Sequence, residues 1–384
     1  MRANHYDFIV TGAGAAGRSF AHQLTRSTLR DKRVLLIDRA EKTADTHDRT
    51  WCFWEQGEGP FEAVVKHRWP ILWCYQGKME RRLEIAPYQY KMILSGDYYA
   101  YTDAHLTGFP NVERLYGSVT ALTQTDKAVQ VTVDGVTYTA DWCINSLPGS
   151  RIDKSRVNYL DQHFRGWFIR TEEPVFDPGE AVMMDFRIPQ EGDFRFMYVL
   201  PTSQREALVE VAIFSNEHLT AEAYDQIIGD YLTKHWPGLG SFTVERREMG
   251  NIPMTDHPFT PHDGRIVNLG LHGGDTRAST GYTFLYIHRR VARIIAHLEQ
   301  HGTPLAPTPC SWRRHRRYDQ LMLRVLEQGL YPGDELFGQL FAKNEPRRLL
   351  SFLNAESKVT DELGVMSSAP MSAFLRALLQ EMSR

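Results

Sequence analysis

The run Gly12-Ala13-Gly14-Ala15-Ala16-Gly17 constrains the fold of this chain more than any other stretch. It follows the apolar segment Tyr6-Asp7-Phe8-Ile9-Val10 and precedes a helix-compatible stretch from Arg18 to Arg30. A second apolar run, Arg33-Val34-Leu35-Leu36-Ile37, ends on Asp38. Strand, glycine turn, helix, strand and acid, in that order, open a doubly wound dinucleotide-binding fold. The three glycines differ in what they allow. Gly12 permits the tight turn, Gly14 lets backbone approach a pyrophosphate, and Gly17 lets helix and strand pack closely. The helix N-terminus presents unpaired N–H groups to phosphate, and Asp38 can accept hydrogen bonds from a ribose. The alternative is a glycine-rich turn in an ordinary βαβ unit.

The 384 residues suffice for two domains or one large one. A net charge of −3 provides no field to attract nucleic acid. Cys52, Cys74, Cys143 and Cys310 are too scattered for paired redox chemistry or a zinc site, and they fit a reducing compartment. No apolar stretch reaches the length of a spanning helix, and the first strand begins within a few residues, which leaves no room for a signal peptide. The expectation is an intracellular protein, soluble or peripherally attached to a membrane.

Past the opening unit, Val129-Gln130-Val131-Thr132-Val133 and Val136-Thr137-Tyr138-Thr139-Ala140 flank Asp134-Gly135, a strong hairpin signal. Four apolar runs between 166 and 214 predict an antiparallel sheet, followed by a helix over about 220–235. A further strand, turn and helix arise over 265–299, where Gly274-Asp275 can meet a ribityl chain and pyrophosphate. The tail from about 311 reads as helical. We therefore expect an α/β protein. Residues 1–150 and 250–300 would form a discontinuous Rossmann-type domain for FAD, 151–249 a substrate domain built on the sheet, and 301–384 a helical C-terminal region.

Several runs are more specific: Asp48-Arg49-Thr50-Trp51-Cys52-Phe53-Trp54, Met183-Met184-Asp185-Phe186, Phe196-Met197-Tyr198-Val199-Leu200-Pro201, Gly250-Asn251-Ile252-Pro253-Met254-Thr255 and Ala278-Ser279-Thr280-Gly281-Tyr282. Through them the chain resembles the bacterial lycopene β-cyclase family of flavoproteins nearly end to end. The resemblance implies a fold like that of aromatic hydroxylases and geranylgeranyl reductases. It also implies closure of the ψ ends of lycopene into β rings, with FAD in its reduced form and NAD(P)H as the reductant. The product is an isomer of the substrate, so no electrons are consumed. Many members carry two adjacent acids where this chain has Leu208-Val209-Glu210-Val211, which retains only the first. The rival reading is a monooxygenase or prenyl-chain reductase of the same fold.

Such chemistry requires an acid strong enough to protonate an alkene, and burial keeps a carboxyl protonated by disfavouring its charged form. Glu210 lies in a strand apolar on both faces and is the expected donor; otherwise it is a strand-edge glutamate paired with an arginine such as Arg195. Asp185 is the second candidate if alternation turns it into the same cavity, and otherwise a buried acid ordering nearby backbone. Trp51, Phe53, Trp54 and Trp167, with Trp69, Trp73 and Tyr75, could line a polyene tunnel whose ring faces steady a carbocation; the alternative for most of them is ordinary core. Arg49, beside Asp48, is expected to contact the flavin or its phosphates, and Thr280 and Gly281 to meet the flavin pyrimidine edge. The run Ser311-Trp312-Arg313-Arg314-His315-Arg316-Arg317-Tyr318 could rest on anionic headgroups, or form a solvated face with Arg–Glu pairs.

Overall fold

The computed structural model describes residues 5–42, 46, 49–149 and 152–382; Asp48 lies outside them. Strands His5–Thr11 and Val34–Asp38 pair in parallel, joined by helix Ala15–Thr25, so the expected opening unit is present. They belong to an eight-stranded sheet in which His5–Thr11 also pairs in parallel with Val136–Asn145, and that strand with Ile266–Asn268. The Asp134-Gly135 hairpin forms as read, with Val133 opposite Val136. Helix Phe284–His301 packs on helix Ala15–Thr25, where His288 Nδ1 meets Ser19 Oγ at 2.7 Å.

A seven-stranded sheet forms the second layer. Its order is Phe242–Thr255, Tyr159–Thr171, Glu206–Ser215, Phe194–Pro201, Glu180–Asp185, Ile71–Gln76, Met79–Glu84. The last two strands come from the segment read with the first domain, and Ile71–Gln76 adds to the sheet in parallel beside Glu180–Asp185. Sequence order therefore does not separate the two layers at residue 150.

Alternation along these strands sorts their side chains by face. Val209, Val211 and Ile213 turn towards helix Ala221–His235 and pack on Tyr224, Ile228 and Tyr231. Leu208, Ala212 and Phe214 turn the other way, into a core shared with Trp54, Tyr90 and the C-terminal helices. Those helices follow one another from Cys310 to Met382 and cover this face; Phe337 stacks on Phe194 at 5.0 Å. None of the described helices is long and apolar enough to cross a membrane.

Candidate active site

Glu210 stands on the face covered by the C-terminal helices, between Leu208 and Ala212 of its strand. Protein surrounds its carboxyl on every side, yet part of its surface stays accessible, as do parts of Cys52, Phe164, Phe168 and Tyr282 nearby. Arg195 takes no part, since its guanidinium is held by Asp193.

The residue that completes the site is Glu248, which sequence reasoning did not single out. In the central strand Tyr159–Thr171, Gly166 lies opposite Glu210 on one side and opposite Glu248 on the other. A Cβ at Gly166 would sit 3.0 Å from Glu210 Oε2 and 3.3 Å from Glu248 Cγ. Because that atom is missing, the two side chains meet over the backbone and their carboxyl groups are hydrogen-bonded. The available signal was a glycine inside a strand; its two neighbours became known only with the pairing register.

The two acids are unequal. Burial raises the Glu210 carboxyl well above the usual range, and the charge of Glu248 and the hydrogen bond to it raise it further. Burial raises Glu248 too, but the Thr50 hydroxyl, Arg246, the Glu210 O–H and Arg49 oppose this. Thr50 Oγ1 donates to Glu248 Oε2 at 2.6 Å, and Arg246 Nη1 lies 3.6 Å from the same oxygen. Both carboxyls are raised: Glu210 by burial and by Glu248 with nothing to oppose them, and Glu248 by burial against the pull of Thr50 and Arg246.

Aromatic side chains surround the pair, though not chiefly the expected ones. The hydroxyls of Tyr90 and Tyr282 meet at 3.2 Å, and Tyr198 lies directly across from Glu210 in the sheet. Burial raises all three phenols far above their ordinary value, which keeps them neutral. The Arg246 guanidinium covers the Phe168 ring at 3.7 Å. Of the tryptophans, Trp54 reaches this core, with its ring 4.4 Å from that of Tyr282 and its Nε1 donating to the Leu350 carbonyl. Trp51 and Phe53 occupy the opposite face of their strand, stacked on Phe284 at 4.8 and 5.2 Å. Trp167 also faces away, donating to Asp225 at 2.6 Å on the side of helix Ala221–His235. Trp73 and Tyr75 stack on each other on that same side, and Trp69 is core, bonded to the Pro201 carbonyl.

Asp185 does not share the Glu210 face of the sheet. An extra residue between Val182 and Asp185 shifts the register with Phe194–Pro201, so Met183 and Met184 both enter the Glu210-side core. The shift turns Asp185 over. Its carboxylate accepts from Arg187 Nε and Nη2 at 2.9 and 2.6 Å and from the Tyr231 hydroxyl at 2.9 Å. It also accepts the Arg187 backbone N–H at 3.0 Å, which is the backbone-ordering role.

The glycine turn has the geometry a dinucleotide such as FAD needs. Gly12 has φ +96°, and a Cβ there would come within 2.5 Å of Ser146 Oγ. A Cβ on Gly17 would collide with the Gly12 carbonyl, whereas Gly14 faces open space where phosphate can approach. Asp38 braces the turn, accepting the Ala13 N–H at 3.1 Å. Before the helix that starts at Phe284, Thr280 Oγ1 and Gln162 Oε1 are buried polar atoms with no partner among the described residues. Gly281, at φ +74°, has Gln162 Oε1 against the position of its absent Cβ. Both orphaned oxygens suit the polar edge of a flavin ring. The Asp275 carboxylate is engaged by the Gly270 N–H at 2.6 Å and by Arg290 at 2.8 Å. With Gly274 it lines a hollow of about 270 Å³ towards Trp312, apart from the glycine turn. His272 instead stands beside Gly149, next to the turn from which Ser146 bonds the Gly12 carbonyl. Arg49 is held to Ser95 by its backbone and lies within electrostatic reach of Glu248.

The two-layer fold that carries the glycine turn is shared with solved structures of other proteins. Solved structures with this fold include a geranylgeranyl bacteriochlorophyll reductase-like protein from Thermoplasma acidophilum (12% identity, TM-score 0.60, covering 98% of this chain and 96% of the other). A flavoprotein/dehydrogenase from Cytophaga hutchinsonii is similar at 10% identity and TM-score 0.62, over 98% of this chain and all of its own. The family model for lycopene cyclase protein matches residues 7–379, and the chain belongs to that family. Curated relatives include the lycopene β-cyclases of Pantoea ananas, 25% identical over 97% of each chain, and of Paracoccus sp., 25% identical over 95% of this chain and 94% of the other.

Proposed function

We propose that this protein is a lycopene β-cyclase, an isomerase that closes the ψ ends of lycopene to give β-carotene through γ-carotene. The observation that carries the reading is the Glu210 carboxyl, enclosed on an otherwise apolar sheet face, where burial raises it well above the usual range and so favours its protonated form. Proton transfer from it to C2 places a cation at C1. The C5=C6 alkene closes onto that cation, and loss of the C6 proton leaves the ring. The faces of Phe164, Phe168 and the neutral tyrosines border the region where that charge develops. Bound in its reduced form, with NAD(P)H as the source of its electrons, FAD supplies an anionic ring that stabilises positive charge without net redox. The glycine turn and Asp38 would hold its ADP half, and Thr280 and Gly281 its ring edge.

Lycopene is a bilayer solute, so we place the enzyme on the cytoplasmic face of the membrane as a peripheral protein. Arg314 is committed to Glu362, while Arg313, Arg316 and Arg317 stay exposed. Helix Met371–Met382 packs on the helix carrying those arginines and exposes Met371, Leu375, Leu378, Leu379 and Met382 along one side. Basic and apolar groups together suit an anionic bilayer surface.

The test is anaerobic incubation with lycopene in liposomes and chemically reduced FAD, followed by the mass and absorption of the product. Unchanged mass with a β-ring chromophore supports the reading. Gain of oxygen on admitting air, or of two hydrogens, moves the protein to the monooxygenase or reductase class.

A further inference from the structure

We propose that Glu210 and Glu248 act as one acid–base unit: the pair holds a single proton at rest, gives it to the substrate and takes back the proton that leaves the ring. The inference rests on the cyclase reading and assigns the base that reading leaves open. Its foundation is geometric. Two acids from strands that do not touch are brought into hydrogen-bond contact across Gly166, and a Cβ there would wedge against both side chains. Thr50 and Arg246 favour the ionised form of Glu248 against the burial that raises it, whereas the influences on Glu210 are burial and Glu248 itself. One member is thus placed to act as the acid and the other as the base, the division of labour expected when two carboxyls share one site.

The chemistry needs both roles close together. The Glu210 O–H bond breaks and the π electrons of C1=C2 form the new C2–H bond. The π electrons of C5=C6 then form C1–C6 and leave the charge at C5. Finally the C6–H bond breaks, its electrons restore C5=C6, and the proton passes to the pair. Protons and electrons both balance. C2 and C6 flank the same atom, C1, so donor and acceptor must be near neighbours, as two hydrogen-bonded carboxyls are. While the cation exists the pair carries two negative charges, which stabilise it most strongly at that stage. Transfer across the hydrogen bond then returns the proton to Glu210.

The other ionisable groups facing the pair are the Cys52 thiol, the phenols of Tyr90, Tyr198 and Tyr282, and the guanidiniums of Arg246 and Arg49. Burial holds the thiol and phenols neutral, so the carboxyl pair is left to set the pH response around neutrality.

The test compares pH–rate profiles of Glu210→Gln and Glu248→Gln, with bound flavin measured in each. Glu210→Gln is expected to be inactive with flavin retained. Glu248→Gln keeps the shape but removes both the base and the charge that holds the Glu210 proton. It should lower the rate at least tenfold at neutral pH and move the alkaline limb to lower pH by about one unit or more, while Glu248→Asp keeps the wild-type limb. An inactive Glu210→Gln beside a Glu248→Gln with the wild-type profile overturns the pair and leaves the cyclase reading standing. An active Glu210→Gln overturns both. If Glu248→Gln does not fold, Thr50→Val decides: loss of the hydroxyl should move the acidic limb to higher pH, and an unmoved limb refutes the proposal.

Discussion

Replacing Gly166 with alanine tests the arrangement most directly, because it adds one methyl group and removes no charge. The new Cβ would lie 2.8 Å from Leu208 Cδ1, 3.0 Å from Glu210 Oε2 and 3.3 Å from Glu248 Cγ. Carbon contacts settle near about 3.5–4.0 Å, so all three neighbours must retreat by several tenths of an ångström. Overpacking of this kind costs about 1–3 kcal/mol of stability. Its effect on the acid is separate. A hydrogen bond to a charged group contributes about 1.5–3 kcal/mol, and about 1.4 kcal/mol corresponds to one pKa unit. Prising the carboxyls apart should therefore lower the Glu210 pKa by about one to two units and the rate on the alkaline side about 10- to 100-fold. The assay is cyclisation in lycopene liposomes with reduced FAD, read across pH. Gly250→Ala serves as the control: its Cβ would press on Phe164 Cζ at 2.8 Å with neither carboxyl among its close neighbours. It should lose comparable stability while its alkaline limb stays in place. A Gly166→Ala enzyme with the wild-type limb would show that the pair does not set the proton.

Three further outcomes are expected. Because the folded-state pKa of Glu210 is raised, folding binds protons above about pH 4.5, where the unfolded chain ionises; the residue therefore costs stability that grows as pH rises. Glu210→Gln should raise the melting temperature at pH 7 and lose that advantage towards pH 4.5; an equal gain at both values would contradict the assignment. Asp185→Asn removes the charge from a buried acid bonded to Arg187 and Tyr231. It should cost about 3–5 kcal/mol in denaturant melts while the alkaline limb of the folded enzyme stays where it was. Leu375→Asp with Leu379→Asp should weaken co-sedimentation with anionic liposomes at least tenfold and leave the melting temperature within a few degrees, since both side chains are exposed; unchanged co-sedimentation would place the membrane contact elsewhere.

The sequence by itself determined what local chemistry determines. The glycine turn, its flanking strands and the acid after them form one continuous stretch whose backbone demands can be read without a partner. The same holds for the Asp134-Gly135 hairpin and for helix Ala221–His235, where Thr220 caps the first turn. Glu210 was legible because an acid in a strand apolar on both faces has nowhere wet to point. Pairing and register decided the rest. Asp185 would face the Glu210 side by strict alternation, and one extra residue in its strand reverses it. Trp51 and Phe53 lie one residue either side of Cys52, yet alternation sends them to the opposite face from the site. Glu248 lies far beyond Glu210 in the chain, and nothing in its neighbours announces a partner. It meets Glu210 only because three strands align with a glycine between them. Contact across a sheet depends on strand order and register, which arise when the whole chain folds, so only the tertiary structure could bring the two acids together.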